Sequence, residues 1–184
     1  MRKSKFLAFL MALMLCAVSV TAAFAAPYNP REAIQAMKET ACQILQDMGY
    51  HVVLGDNVKD IEATGNGDLS SVTVSTQIGN KFSLSFTKDG TVKEFKNHAR
   101  AKAEKTENNP KLAKKTVKKI EKTVNAFLKK HGKALRKQIG KLKVVKSWTS
   151  DGRTFVRVQD AKKKIRVDLQ IKPQVLIWKF SAKD

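Results

Sequence analysis

Lysine is the residue type whose number and spacing could support chemistry in this sequence, and it is densest between residues 111 and 139. Apolar residues recur there at three- and four-residue intervals, as on one face of an α-helix: Val117, Ile120, Val124, Phe127, Leu128 and Leu135. The other positions carry a dense set of cations: Lys114, Lys115, Lys118, Lys119, Lys122, Lys129, Lys130, Lys133, Arg136 and Lys137. Like charges one turn apart destabilise a helix by roughly 0.2–0.5 kcal/mol per pair. Because a bound anion would relieve that repulsion, the segment predicts an anion-attracting surface.

A second basic run, Lys162-Lys163-Lys164-Ile165-Arg166, stands where a predicted hairpin enters a strand, and Arg153 and Arg157 extend it. Lysines act as compact point charges, which favours diffuse attraction to phosphates, sulfates or carboxylates over base-specific recognition. We expect six side chains to contribute most to anion binding: Lys115, Lys118, Lys122, Lys129, Lys163 and Lys164. The alternative is that the lysines only keep the protein soluble, although their excess is larger than solubility requires.

No motif for catalysis is present. The sequence lacks a phosphate-binding glycine loop, a serine-nucleophile elbow and a metal-spaced Cys/His cluster. His131 lies on the apolar side of its helix and is interpreted as a packing residue. A group of carboxylates around one turn lacks the EF-hand spacing and is interpreted as solvated rather than calcium-binding: Asp56, Asp60, Glu62 and Asp68. We therefore expect a non-enzymatic protein without a cofactor or metal.

Residues 1–25 read as a secretory signal peptide. Three cations precede an apolar run that extends from Phe6 to about Val20, and Ala23-Phe24-Ala25 is a small-x-small cleavage site. An uncleaved anchor is the alternative, but ~15 apolar residues are fewer than the ~20 of a spanning helix. Lipidation at Cys16 is disfavoured by bulky Leu15. The prediction is a periplasmic or secreted protein with no transmembrane segment after cleavage.

The mature chain divides by charge. From Pro27 to Phe95 there are 6 Lys/Arg and 9 Asp/Glu, whereas from Lys96 to Asp184 there are 27 and 7. The first half is therefore mildly acidic and the second strongly basic, an asymmetry that bears on partners rather than on fold. Cys42 is the only mature cysteine, so an intramolecular disulfide is excluded and a small buried hydrophobe is expected there.

Periodicity predicts a helix followed by short strands in each half. Asn29-Pro30 begins the first helix and Gly49 ends it, while Gly132 and Gly140 both remain possible ends of the basic helix. Alternation such as Phe82, Leu84 and Phe86 with serines between them is typical of a half-buried strand. We expect an α+β fold of two tandem units, each a helix packed on a four-stranded antiparallel sheet. The predicted boundaries are a first unit at 26–96, a linker at 97–112 and a second unit at 113–184.

The halves look like one unit repeated. A shift of 83 residues carries the apolar stripe Ile34, Met37, Ala41, Ile44 and Leu45 onto Val117, Ile120, Val124, Phe127 and Leu128. It also carries Phe82, Leu84, Phe86, Val92 and Phe95 onto Ile165, Val167, Leu169, Val175 and Trp178. The same shift turns five acidic residues, Glu32, Glu39, Asp47, Asp60 and Asp89, into lysines. Duplication is the favoured interpretation, with two unrelated α+β units as the alternative.

The closing hairpin of the first half, Phe82-Ser-Leu-Ser-Phe-Thr-Lys-Asp-Gly-Thr-Val-Lys-Glu-Phe95, resembles that of the secreted PepSY-like, β-lactamase-inhibitor-like modules that occur in tandem. The second half resembles them through Val124–Gly132, Trp148–Phe155 and the strands up to Trp178. It departs from them at Lys172-Pro173, which replaces Asp-Gly, and in its lysine excess. The resemblance implies an exported, non-enzymatic inhibitor or binding domain and no particular functional residue.

Three hypotheses follow for function. The first is an exported binding protein whose basic half docks on an anionic partner, namely an envelope polymer, lipid headgroups, nucleic acid or an acidic protein surface. The second is a protein-directed inhibitor of a periplasmic or secreted enzyme, which would use sheet faces or hairpin tips. The third is peripheral membrane contact by the cationic helix, ranked last because its apolar stripe is needed for the core.

Overall fold

The computed structural model describes residues 30–66, 69–87, 90–100 and 102–183. The predicted signal peptide and Asp68 lie outside these residues. The described helices are α1 (Pro30–Asp47), α2 (Lys114–His131) and α3 (Lys133–Gln138), and none of them is long and apolar enough to cross a membrane. The strands are β1 (Val58–Asn66), β2 (Leu69–Thr76), β3 (Lys81–Phe86), β4 (Val92–Asn97), β5 (Lys105–Asn108), β6 (Leu142–Ser150), β7 (Arg153–Asp160), β8 (Ile165–Lys172) and β9 (Leu176–Ala182).

All nine strands form one antiparallel sheet in the order β1-β2-β3-β4-β9-β8-β7-β6-β5. The predicted fold of two units, each with its own four-stranded sheet, is therefore wrong. The error lies at the centre of the sheet, where β4 pairs with β9 through Glu94↔Ser181, Phe95↔Phe180 and Lys96↔Lys179. Strands that end a small sheet leave unpaired backbone groups, and pairing β4 with β9 satisfies both sets.

One strand forms within the predicted linker. Lys105–Asn108 has no apolar residue and is exposed throughout, yet it pairs with β6 from Thr149 to Lys146. The connection from β4 to β5 must cross five strand spacings, roughly 24 Å, which nearly equals the fully extended reach of eight residue steps. Two hydrogen bonds place the end of this connection beside the turn between β6 and β7. The Glu104 amide donates to the Thr149 carbonyl, and the Asp151 amide donates to the Glu104 carboxylate.

One face of the sheet is covered by the helices. Four of the six residues of the predicted apolar stripe are confirmed as core, since Ile120, Val124, Phe127 and Leu128 are buried. Val117 is half-buried, and Leu135 packs against the core from α3. The core is continuous across both halves, joining α1 residues such as Leu45 to strand residues of both halves, among them Phe82, Val167 and Phe180. Phe127 meets Phe180 edge-on, with ring centroids 5.2 Å apart. Gly132 ends α2, and the short α3 follows before β6.

The C-terminal ends of α1 and α2 meet. Lys130 Nζ donates to Asp47 Oδ1 at 2.7 Å, and His131 Nε2 lies 2.8 Å from Asp47 Oδ2. Beyond α1, the Ile177 amide donates to the Met48 carbonyl, and the Tyr50 hydroxyl donates to the Ile177 carbonyl. The segment from Met48 to Tyr50 thus continues the pairing with β9 where β4 ends. Each half of the chain is bonded to the other at the helices as well as in the sheet.

The 83-residue shift matches element boundaries but not register. It moves α1 to 113–130, β1 to 141–149 and β2 to 152–159, each one residue from the observed element. In the first half, Val72 pairs with Leu84, so the shift predicts that Phe155 pairs with Val167. In the structure, Phe155 pairs with Gln170 instead. The predicted equivalence of Phe95 with Trp178 also fails, because Phe180 stands opposite Val167 as Phe95 stands opposite Leu84. A single gapless shift therefore does not describe the strands.

Candidate anion-binding surface

Four of the six predicted anion-binding residues lie on α2. Lys115, Lys118, Lys122 and Lys129 follow one another at three-, four- and seven-residue intervals, which places them on one stripe of the helix. That stripe is opposite the buried residues, and all four side chains are exposed. We call these four residues the α2 stripe.

The other two predicted residues, Lys163 and Lys164, lie in the turn between β7 and β8. Lys163 is exposed and adopts a left-handed backbone conformation with φ 56°, while Lys164 is half-buried. Asp160 organises this turn, although it is only 2% exposed. Its Oδ1 accepts from the Ile165 amide at 2.8 Å, and its Oδ2 accepts from the amides of Lys162 at 2.9 Å and Gly140 at 3.1 Å.

The Asp160 carboxylate is committed to the backbone. Burial alone would raise the pKa of Asp160, but the hydrogen bonds from the backbone amides outweigh burial and lower that pKa. The group therefore stays ionised inside the turn. Its bonding is to the amides of this turn and of Gly140, so it acts as an internal support for the turn that carries Lys163 and Lys164.

The turn and the α2 stripe lie on separate elements. Gly140 packs closely against Ala161, where an added Cβ would come within 3.2 Å of the Ala161 Cβ. Gly140 also lines a shallow concavity of about 390 Å³ together with Glu121 and Asn125 of α2 and Arg136 of α3. The α3–β6 connection thus lies between the two sets of lysines, and within the described residues no hydrogen bond or ion pair joins one predicted lysine to another.

The cations of α2 have few acidic neighbours. Glu121 is the one acidic residue in the helix, and its first turn contains none. Among the ion pairs seen in the described ranges, those that involve α2 join Lys130 and His131 to Asp47. The members of the α2 stripe therefore extend into solvent without a protein carboxylate within ion-pair distance in that part of the chain.

The contact with Asp47 is structural. Burial alone would raise the pKa of Asp47, but the hydrogen bonds and charges of Lys130 and His131 outweigh it and lower the pKa. The pKa of His131 is also lowered, mainly by burial, which outweighs the attraction of Asp47. The ring of His131 packs at 5.4 Å from that of Phe127. The prediction that His131 is a packing residue is confirmed.

A further basic surface, which was not predicted from the sequence, lies on the sheet face away from the helices. The cross-strand pairs Lys96↔Lys179, Lys179↔Asp168, Asp168↔Arg157 and Arg157↔Lys146 run across β4, β9, β8, β7 and β6. We call these five residues the open-face row. The row spans four strand spacings, about 19 Å. Alternation along single strands could have indicated which side chains share a face, but only the strand order places them in one row.

The only acid in the open-face row is already paired. Arg157 donates to Asp168 through both Nε, at 2.7 Å, and Nη2, at 2.9 Å. This two-point contact with Asp168 raises the pKa of Arg157. Lys96, Lys179 and Lys146 form no ion pair among the described residues, and Lys96 and Lys179 are directly opposite each other. Like charges in that position destabilise a sheet.

Aromatic residues border the row on the same face. Trp148 stacks on Phe155 with ring centroids 5.3 Å apart, and Phe155 meets Trp178 edge-on at 5.0 Å. The Arg157 guanidinium lies 5.7 Å from the centre of the Trp148 ring. Phe155 and Trp178 are buried and Trp148 is half-buried. These rings support Arg157 and the sheet, and they present little free face on which a base could stack.

His98 lies beside the open-face row on the side of the first half. Its Nε2 lies 2.7 Å from the Ser83 hydroxyl, next to the row at Lys96. Its pKa is lowered, first by desolvation and then by the charges of Lys96 and Lys81. The neighbouring strands β2 and β3 present small hydroxyl side chains on this face, such as Thr73, Ser83 and Ser85.

Metal-ligating side chains are not clustered in the part of the molecule that the structure describes. No group of three or more His, Cys, Asp or Glu side chains is placed there to hold a metal ion. Cys42 is free and buried, and its pKa is raised by burial and by the nearby Glu39. A thiol with a raised pKa is a poor nucleophile near neutral pH. The prediction of a small buried hydrophobe is confirmed for Cys42.

Comparisons with known proteins supply no relative. Neither the protein-family models, nor the curated proteins, nor the solved structures contain a match to this chain.

Proposed function

We propose that this protein is an exported, non-catalytic binding protein whose basic second half docks on an anionic partner. The observation that carries the proposal is the set of exposed lysines formed by the α2 stripe and Lys163, none of which has an ion-pair partner in the described chain. The +20 formal net charge of the whole chain acts in the same direction, because it raises the rate of encounter with polyanions. The proposal that the protein is exported rests on the predicted signal peptide at residues 1–25.

The fold supports this use of the lysines in one respect. The apolar side of α2 is buried in the core. Asp160 accepts hydrogen bonds from backbone amides, and Asp47 accepts one from Lys130 of α2. The lysines are therefore not needed to neutralise these carboxylates, apart from Lys130. Their mutual repulsion is a cost to the free protein that an anionic partner removes.

Retention on an immobilised polyanion tests the proposal. The variant carries Lys→Glu at Lys115, Lys118, Lys122, Lys129, Lys163 and Lys164. A matched control carries the same change at six other exposed lysines: Lys59, Lys102, Lys105, Lys111, Lys172 and Lys183. We expect the retention of the wild type to fall as the salt concentration rises, because binding releases counterions. The six-site variant should elute well before the control, and equal elution of the two would reject the proposed surface.

A second candidate function, inhibition of an enzyme, is favoured by one side chain. Ile78 is 83% exposed at the tip of the β2–β3 hairpin, the one large hydrophobic residue with that exposure in the described chain. An apolar side chain at a rigid hairpin tip is suited to filling a pocket on a partner protein. This is the use of hairpin tips that the resemblance to secreted inhibitor-like modules implies.

Salt distinguishes the two functions. An inhibitor anchored by Ile78 should capture one saturable partner from an envelope extract at moderate salt, and Ile78→Asp should abolish that capture. Ile78→Leu is the control, since it keeps an apolar tip. Capture that is lost at moderate salt and is unaffected by Ile78→Asp would argue for the polyanion-binding function instead.

A further inference from the structure

The junction between β4 and β9 creates a surface that neither half of the chain has alone. Lys96 belongs to the first half of the sheet, and Lys179, Lys146 and the Arg157–Asp168 pair belong to the second. Because β4 and β9 pair, their cations are aligned on the open face at intervals set by the strand spacing of ~4.8 Å. On this rigid frame the charges keep a fixed spacing.

The free donors of the row suit phosphate groups. The Arg157 guanidinium could hold a planar carboxylate or a phosphate at two points, but it is already filled by Asp168, whereas lysine ammonium groups bind phosphate as point charges without a fixed geometry. Three lysine ammonium groups remain, and the Ser83 residue lies opposite Lys96. Ser181 lies between Arg166 on one side and Glu94 on the other, so the hydroxyl nearest the unpaired lysines is that of Ser83. Ammonium groups and hydroxyls are common donors to phosphate oxygens.

The shape of the surface indicates a linear ligand without bases. The cations form a line across a sheet face rather than a pocket, and the neighbouring rings of Phe155 and Trp178 are buried. A single-stranded nucleic acid would require aromatic faces open for stacking. A chain of phosphate groups requires only charges and hydroxyls in a line.

We infer that the open-face row is a binding site for a linear phosphate polymer, with Lys96, Lys179 and Lys146 as its principal contacts. This site rests on the proposed function and deepens it, because it gives the anionic partner a chemistry and a direction across the strands. The α2 stripe adds long-range attraction for long polymers, while the open-face row holds a short segment.

Inorganic oligophosphate just long enough to cover the ~19 Å row is the probe for this site, and long-chain polyphosphate is the second ligand. The variant is Lys96→Gln, Lys179→Gln and Lys146→Gln, and the matched control removes the same charge from α2 as Lys115→Gln, Lys118→Gln and Lys122→Gln. Affinity is measured by calorimetry on the full protein, after circular dichroism confirms that each variant is folded. Should the row variant fail to fold, Lys96→Gln alone is used.

We expect the row variant to bind the oligophosphate at least tenfold more weakly and the α2 control to lose less than threefold. Long-chain polyphosphate should be weakened by both variants. Equal losses for the oligophosphate, or a larger loss in the α2 control, would overturn the open-face site while leaving the proposed function intact. Tighter binding of a base-bearing oligothymidylate of equal charge would overturn the assignment to a base-free polymer. If the wild type bound neither polyphosphate nor any immobilised polyanion, both the site and the proposed function would fail.

Discussion

The two halves of the sheet have similar cores and different outer surfaces. On the helix side, Phe82, Leu84 and Phe86 of β3 are buried, as are Ile165, Val167 and Leu169 of β8. On the open side, β2 and β3 present mainly serine and threonine, whereas β6 to β9 present lysine and arginine. Core positions must keep their volume to fold, but exposed positions can change charge at little cost in stability. The difference therefore separates what holds the molecule together from what it presents to a partner.

The comparison also has a limit in the register of the strands. The open face of the second half contains Trp148, Phe155 and Trp178, for which the described first half has no aromatic counterpart on β1 to β3. The 83-residue shift places Phe155 opposite Val167, but Phe155 pairs with Gln170, three residues further along β8. Because side chains alternate between the two faces of a strand, this odd-numbered offset places Phe155 on the open side. The halves are thus alike in element order and in core, and unlike in which side chains their strands turn outward.

The largest predicted effect concerns whether the halves form one cooperative unit. Phe180 is fully buried and pairs with Phe95 across the junction. Phe180→Ala should reduce the free energy of unfolding by about 3–5 kcal/mol. The fluorescence of Trp148 and Trp178 reports on the second half, and hydrogen exchange reports on amides of the first. The denaturant midpoints reported by the two probes should decrease together. If the midpoint of the first half stayed at its wild-type value, the halves would be independent. Ile78→Ala, at an exposed site, is the control.

The next effect tests the turn that supports Lys163 and Lys164. Asp160→Ala removes the acceptor for the amides of Ile165, Lys162 and Gly140. Removing the acceptor of the buried Ile165 amide and of the part-buried Lys162 and Gly140 amides should cost about 2–4 kcal/mol, equivalent to one or two fully unsatisfied groups. Urea denaturation measures the loss. Asp56→Ala, at an exposed site before β1, is the comparison, and a similar cost there would mean that Asp160 has no special role.

A smaller effect concerns pH and the contact between the helices. The pKa of Asp47 is lower when folded than its ordinary value of 3.8, so its contribution is complete above that value and is lost as pH falls through the folded pKa. The pKa of His131 is likewise lowered from 6.5, so protonation of the unfolded chain reduces stability as pH falls below about that value. Stability of the wild type should therefore decline on acidification.

Asp47→Asn should reduce the free energy of unfolding at pH 7 by about 1–2 kcal/mol, because two hydrogen bonds to a charged acceptor are weakened. It should also flatten the loss of stability below about pH 4, where wild-type Asp47 takes up its proton. Chemical denaturation at a series of pH values measures both. An unchanged acid slope in the variant would assign the acid sensitivity to Asp160 and other carboxylates.

The smallest effect tests the repulsion within the open-face row. Lys96→Glu places a carboxylate opposite Lys179 and should increase the free energy of unfolding by about 0.2–1 kcal/mol at low salt. The gain should shrink as salt is added, since the pair lies at the surface. Lys105→Glu, whose cross-strand partner is Thr149, is the control. A loss of stability in Lys96→Glu would mean that the paired lysines do not repel each other appreciably.

Local patterns in the sequence were sufficient for the two long helices and for the buried side of α2, but they predicted neither α3 nor the single continuous core. The spacing of Ile120, Val124, Phe127 and Leu128 predicts their burial because a helix repeats every 3.6 residues whatever surrounds it. The serine alternation around Leu84 predicts a half-buried strand for the same kind of reason. Five of the six predicted lysines are exposed and Lys164 is half-buried, and their role in binding stays a prediction.

The tertiary structure alone decided that β4 pairs with β9, that β5 joins the sheet, and that Phe155 turns away from the core. Backbone hydrogen bonds are the same for every partner strand, so the sequence of β4 does not state which strand it meets. Lys105–Asn108 has no apolar pattern because its pairing uses only the backbone of β6. Irregularities in register, such as those between Val144 and Lys146, change which face a side chain occupies. The open-face row depends on the pairing of β4 with β9 and on the register from β9 to β6, which is why it became visible only in the folded sheet.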